Sequence, residues 1–373
     1  MRIYVRNIDD ISTISDEERE EIVAVAERFP FRTTDYYLSL IDWTNPMDPL
    51  RFIAIPSNPE LDNWGSLDPS QESDYTVMPG LEHKYEQTAV LLVSGTCAGI
   101  CRYCFRKRIF LEKRKETLVD LDKALEYISE HPEINNVLLT GGDPLMLSTS
   151  KLDHLLSKLR EIDHVQIIRI GSKVPAVNPY RIIDDPQLSE VLAEHMDDES
   201  SIYVMTHFTH PREINEVSIE AVSLLKNAGA LLNNQTPLLR NVNADPRTLS
   251  ELLNRLSYIG VAPYYVFQCR PAVGNRHFVV PVEESYRIIE EAKNSCSGLA
   301  KRVRYVISHR SGKVEVLAID EENVYMKYHQ AADRKDAGRF LVLPRNPRAT
   351  WLDDYLKASP TARQPRRGIE RYT

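Results

Sequence analysis

From residue 89 onward, short β-rich runs alternate with longer amphipathic ones, and this rhythm narrows the possible architectures of the 373-residue chain more than any other feature. The runs are "AVLLVSG", "NVLLTGG", "VQIIRIG", "SIYVMTH", "ALLNNQ" and "PYYVFQC". Between them, stretches such as "LVDLDKALEYISEH", "TSKLDHLLSKLREI" and "SIEAVSLLKNAG" carry apolar residues at helical spacing. Six strand–helix alternations imply parallel β/α units, closed into a partial barrel or laid out as an open doubly wound sheet. A seventh run, "RVRYVIS", leads into "HRSGKVEVLAID", which reads as a turn into a further strand. Residues 1–83 read as a helical and loop extension in which Ser15 caps "SDEEREEIVAVAERF". Residues 321–373 read as a C-terminal arm ending in the basic "RQPRRGIERYT". No internal repeat or low-complexity segment interrupts this order.

Unusual polar residues fall where the strands end. Cysteines follow the first strand, Gly141, Gly142 and Asp143 the second, and Lys173 the third. His207 follows the fourth, Asn234 and Gln235 close the fifth, and Gln268, Cys269 and Arg270 close the sixth. In parallel β/α folds these carboxyl ends share one edge, where active sites are built. The pattern is that of an enzyme. A net charge of −8 argues against nucleic acid or an anionic membrane as the main partner. The chain has no run long enough to span a bilayer and no apolar leader core, so a cytoplasmic location is expected. Five cysteines do not make a disulfide framework; in a reducing compartment, clustered thiols point to metal or redox chemistry.

Three of those cysteines, Cys97, Cys101 and Cys104, lie in "SGTCAGICRYCFRKR" at C-x3-C-x2-C spacing. Tetrahedral zinc would need a fourth, distant ligand. An iron–sulfur cluster held by three thiolates keeps one iron open to another donor. Buried structural thiols are a third reading. With "GGDP" after the following strand, the pair of motifs resembles the radical S-adenosylmethionine (radical SAM) superfamily. That resemblance implies a 4Fe-4S cluster on the three cysteines, S-adenosylmethionine on its open iron, and a site where Gly141, Gly142 and Asp143 lie against the nucleotide's methionine end. It also implies an α/β fold, a partial (β/α)6 TIM-like barrel, here with the N-terminal extension and C-terminal arm.

The flanks "PGLEHKYEQTAVLLVSGTCAGICRYCFRKR", "IRIGSKVPAVNPYRI", "MTHFTHPREI", "NNQTPLLRNVN" and "FQCRPAVGNRHFVVP" resemble the lysine 2,3-aminomutase family in order and spacing. The resemblance adds pyridoxal 5′-phosphate within residues 84–320, and an isomerase that moves an α-amino group to the β-carbon of a small amino acid. It implies that Lys313 in "SHRSGKVEV" holds the pyridoxal cofactor, in a turn less glycine-rich than the family's. It implies Lys84 and Tyr85 at the cofactor phosphate, with Lys84 standing where arginine is usual, and Arg106 at the substrate α-carboxylate. Asn234 and Gln235 are expected at the adenosyl ribose, and His207 and His210 are either cofactor contacts or hydrogen-bonded core or cap residues. A flavodoxin- or ferredoxin-type reductant and a homo-oligomer are also implied. The family's cysteine-rich zinc segment has no counterpart after Cys296, so subunits would meet through other surfaces.

The resemblance implies two aspartates that grip the substrate's amino groups in the lysine enzyme. At the first of these positions this chain has Arg270, and the "VISHRSG" window where the second falls has no acid. A guanidinium there suits a carboxylate, and Ser308, His309 and Arg310 offer further donors. The variant expected is a glutamate 2,3-aminomutase making β-glutamate. The alternatives are a lysine 2,3-aminomutase, a pyridoxal-independent radical enzyme of the same lineage, and a zinc-bearing binding protein.

Overall fold

Alternate side chains of a strand face opposite layers, and the β-rich runs use this to bury one face under helices. The computed structural model describes residues 4–111 and 116–358. Twelve strands form one sheet in sequence order. They are β1 (Thr76–Met78), β2 (Leu81–Tyr85), β3 (Thr88–Ser94), β4 (Asn136–Gly141), β5 (Ile167–Ser172) and β6 (Ser201–Thr206). Then come β7 (Leu231–Leu238), β8 (Ala262–Gln268), β9 (Arg304–His309), β10 (Gly312–Ile319), β11 (Asn323–Ala331) and β12 (Phe340–Pro344). Strands β3 to β9 are parallel. Antiparallel hairpins extend the sheet at both ends.

Helix α1 (Asp16–Arg28) precedes the sheet, with Ser15 accepting from the Glu18 amide as its cap. One long helix fills each of the six crossovers: α2 (Leu121–Glu130), α3 (Thr149–Arg160), α4 (Pro186–Glu194), α5 (Glu216–Asn227), α6 (Pro246–Tyr258) and α7 (Val282–Asn294). Ile168 and Ile170 are fully buried beneath this helical layer. Arg169 between them points to the other face, where its Nε donates to Asn136 Oδ1 at 2.7 Å. The sheet curls around that second face. Lys313 Nζ on β10 lies 4.4 Å from the Tyr85 ring centroid on β2, although seven strands separate the two. The enclosed space is the lumen of a partial (β/α)6 barrel. Among the described residues no helix is long and apolar enough to cross a membrane.

The N-terminal extension does not stand apart. One hydrophobic cluster runs from Ile8, Ile22 and Ile53 through Leu91 and Leu139 to Leu232. The extension also grips the cysteine loop: the Ile100 amide donates to Arg32 O at 2.8 Å, and the Arg102 amide to Ile53 O at 2.9 Å. Between Cys101 and Cys104, Arg102 buries its guanidinium on Glu60, with Nε 2.9 Å from Oε1 and Nη2 2.8 Å from Oε2. Neither side chain is more than 1% exposed.

The expected arm over residues 321–373 needs correction. Its first part supplies β11 and β12. Val324, Met326, Leu341 and Leu343 are buried at every second position, a strand period carried inside a polar composition. Helix α8 (Leu352–Ala358) then packs Leu352 and Tyr355 fully into a second cluster with Ile307 and Val314. The basic tail "RQPRRGIERYT" lies outside the described residues.

Replacing Arg102 by Met leaves the Glu60 carboxylate buried without its guanidinium. We expect a loss of about 3–5 kcal/mol of unfolding free energy in urea titrations of the metal-free protein. A double Arg102→Met, Glu60→Gln variant should recover much of that loss; equal losses in the two variants would contradict the pairing.

Candidate active site

The cysteine loop leaves β3 and folds back against the end of β4. Gly142 N donates to Ser94 O at 2.6 Å and Asp143 N to Thr96 O at 2.8 Å. A Cβ on Gly142 would stand 2.5 Å from Thr96 O, and one on Gly141, whose φ is +109°, 2.6 Å from Ser94 O. The two glycines therefore let the chain approach itself, seating the loop that carries the thiols. Asp143 turns inward as well. Its carboxylate accepts from Leu145 N, Ser172 Oγ and Lys173 N at 3.0, 2.8 and 2.8 Å, tying the ends of β4 and β5 together. Burial pushes its carboxyl up to about 6 against these donors.

Cys97, Cys101 and Cys104 lie at this edge as free thiols; Cys104 and Cys101 raise the pKa of Cys97, and Cys104 that of Cys101. Burial acts first, pushing Cys101 up to about 11 and Cys97 and Cys104 upward too. A positively charged metal centre is what such thiols need to ionise. Among the described residues no three His, Cys, Asp or Glu side chains sit close enough to grip one bare ion. Three thiolates from one loop are the donor set of an iron–sulfur cluster that keeps one iron open to another donor.

Behind Cys101, Lys173 Nζ donates to His207 O at 2.8 Å, Thr209 Oγ1 at 3.1 Å and Glu213 Oε1 at 2.7 Å. Tyr37 OH reaches the same Glu213 oxygen at 2.6 Å, and Tyr103 OH meets Thr209 Oγ1 at 2.9 Å. This buried network joins the extension, the cysteine loop and the ends of β5 and β6.

Lys313 lies in the lumen, with its amine on Gln330 Oε1 at 2.7 Å and over the Tyr85 ring. Burial, then the charges of Arg169, Lys84 and Arg270, hold its pKa well below that of an ordinary lysine. A neutral, nucleophilic amine is the species that condenses with a carbonyl cofactor. Lys84 Nζ donates to His309 O at 2.7 Å; burial, with Arg270 close by, brings its pKa down to about 8.

Sequence reasoning missed the carboxylate at the centre of the mouth. Glu72 takes Arg106 on both oxygens, from Nη2 to Oε1 at 2.9 Å and from Nε to Oε2 at 3.2 Å. It also takes Arg108 Nη2 at 2.6 Å, and Arg270 Nη1 stands 3.8 Å away. Burial pushes Glu72 up, but Arg106, Arg108 and Arg270 outweigh it and hold the carboxyl at about 2. Only the basic "FRKR" run, too crowded to be buried without acids, hinted at such a partner. Arg106 completes its set with Thr140 Oγ1 at 3.2 Å. Arg270 points inward, with its guanidinium carbon 3.5 Å from the Phe105 ring centroid and Nη2 on Ser308 Oγ at 2.9 Å. Its Nη1 is buried without a hydrogen-bond partner among the described residues.

Asn234 and Gln235 lie inside β7, which runs on to Leu238. Asn234 Oδ1 accepts from Phe208 N at 2.7 Å and its Nδ2 donates to Phe208 O at 3.1 Å, so its amide shapes the turn after β6. Gln235 stands in register with Tyr265 of β8. Of the two histidines, His210 caps a short turn by accepting from Arg212 N. His207 stacks on Tyr103 with centroids 5.8 Å apart, and its Nε2 is buried without a partner among the described residues. Burial and Lys173 hold His207 down at about 3.

Comparison with known proteins agrees with this geometry. Residues 91–253 match the radical SAM superfamily. A putative L-lysine 2,3-aminomutase of Aquifex aeolicus (strain VF5) is 52% identical over 356 residues, 95% of each chain. The L-lysine 2,3-aminomutase of Clostridium subterminale is 40% identical over 76% of this chain and 68% of its own. The glutamate 2,3-aminomutase of Clostridioides difficile (strain 630) is 36% identical over 79% of this chain and 69% of its own.

Because the folded pKa of Glu72 is depressed from 4.5 to about 2, its stabilisation is complete above pH 4.5 and is lost as pH falls through 2. We expect wild type to exceed Glu72→Gln by on the order of 3 kcal/mol at neutral pH, a gap that closes on acidification through that window. Urea unfolding across pH measures it; a gap independent of pH would contradict the assignment.

Proposed function

Because the chain belongs to the L-lysine 2,3-aminomutase family of the radical SAM superfamily, we propose that it moves the α-amino group of L-glutamate to the β-carbon, giving β-glutamate. Cys97, Cys101 and Cys104 would hold a 4Fe-4S cluster, with S-adenosylmethionine bound beside it. Lys313 holds pyridoxal 5′-phosphate, with Lys84 and Tyr85 at its phosphate. When bound, the cluster and nucleotide supply a radical able to abstract hydrogen from carbon, and the pyridoxal ring supplies a conjugated carrier for the migrating amine. The protein's own part is positioning. Arg106, held by Glu72 on Nε and Nη2 and by Thr140 on Nη1, has one further N–H on each terminal nitrogen to offer the substrate α-carboxylate.

The observation that carries the substrate choice is Arg270, turned into the lumen with a buried Nη1 that lacks a hydrogen bond among the described residues. Together with Ser308 it suits a side-chain carboxylate. A substrate ammonium placed there would face like charge in a poorly solvated site, a penalty of several kcal/mol. Lysine is the second reading, favoured by the names of relatives at 52% and 40% identity.

Anaerobic incubation with an amino-acid panel, with chromatographic detection of β-isomers, tests the choice. β-Glutamate is expected; β-lysine alone would overturn it. Arg270→Asp should lower kcat/KM for glutamate by roughly 100-fold or more, and unchanged kinetics would remove the charge argument. Borohydride reduction should fix the pyridoxal group on the peptide containing Lys313, and a label mapped elsewhere rejects that anchor.

A further inference from the structure

Two carboxylates crowd one nitrogen of Arg106. Its Nη2 donates to Glu72 Oε1 at 2.9 Å and lies 3.8 Å from Glu82 Oε2. Glu82 sits on β2 opposite Val90 of β3, which turns its side chain to the lumen face. It is 6% exposed, and among the described residues its carboxylate accepts no hydrogen bond. The charged groups facing it are Glu72 and Asp68, from the segment before β1, Arg106 and Arg108, from the turn after the cysteines, Lys84, further along β2, and Arg270, beyond β8.

A substrate α-carboxylate on the two terminal N–H groups of Arg106 that Glu72 and Thr140 leave free would be a third anion at that guanidinium. Carboxylates this close in a desolvated site cannot all stay ionised. Glu72 is held as an anion by three arginines and cannot give way. Burial and the Glu72 carboxylate already push Glu82 up to about 7, with Arg106 and Arg108 opposing. We propose that Glu82 takes up one proton from solvent when the substrate's α-carboxylate docks on Arg106, and presents a neutral O–H rather than a second negative charge to it. The inference rests on Arg106 being the α-carboxylate anchor, as argued above, but not on the identity of the substrate side chain. Glu82 is then a specificity residue that makes amino-acid binding proton-coupled.

The test is calorimetric binding of L-glutamate, and separately L-lysine, to the anaerobic holoenzyme in buffers of different ionisation enthalpy. Wild type should take up close to one proton per amino acid above pH 7, and affinity should fall about tenfold per pH unit there. Glu82→Gln should bind without that uptake and with a flatter profile over the same range. Glu82→Asp, keeping an acid, should retain the coupling with a displaced midpoint, and it serves as the test if the glutamine variant does not fold. Proton uptake undiminished in Glu82→Gln, a midpoint unmoved in Glu82→Asp, or no uptake in wild type would overturn the proposal. Coupled binding of lysine without glutamate would remove the glutamate assignment and leave this inference standing. Failure of both amino acids to bind would remove the Arg106 anchor and this inference with it.

Discussion

One carboxylate holds the mouth of this barrel together. Glu72 accepts from Arg106 and Arg108 on the turn after the cysteines and stands close to Arg270 beyond β8, so loops from opposite sides of the barrel are set against each other. Its segment is tied down on both flanks: Ser66 pairs with Ala272, Ser70 Oγ donates to Ser308 O, and Tyr75 OH donates to Arg310 O. A guanidinium that binds substrate must be charged and must not wander. A buried anion beside it secures both, because it offsets the desolvation that would otherwise disfavour the charged form.

The same device recurs around the thiols. Arg102 with Glu60 locks the cysteine loop to the N-terminal extension, and Lys173 with Glu213 locks the ends of β5 and β6 behind Cys101. Buried pairs of this kind add little net stability compared with apolar packing. What they add is direction, since a bidentate arginine tolerates few geometries. A radical reaction needs that restraint, because a reactive centre displaced by an ångström attacks the wrong bond.

Much of this was legible beforehand. The period-two runs and their helical spacers marked the parallel strands, and the glycines and cysteines marked the edge where chemistry sits. Roles within that edge were less legible. Gly141 and Gly142 were legible as a close approach, but that the approach includes residues 92–96 of the chain itself shows only in the fold. Asn234 read as a strand-end ligand, but its amide holds the turn at Phe208. The polar stretch after residue 321 read as an arm because its alternation is short and its exposed positions are charged or polar. Burial of Val324 and Met326 against a second cluster appears only when β10 is beside them.

By itself the sequence determined the fold class, the three thiols and the placement of Lys313 after a late strand. Local pattern suffices for these, because strand period and motif spacing are properties of neighbouring residues. Only the tertiary structure decided which ionisable groups face one another. Glu60 lies 42 positions from Arg102, Glu72 34 from Arg106, and Lys173 40 from Glu213. Charge pairing across such separations depends on how the sheet curls, and nothing in the order of residues fixes which acid reaches which base until the strands are side by side.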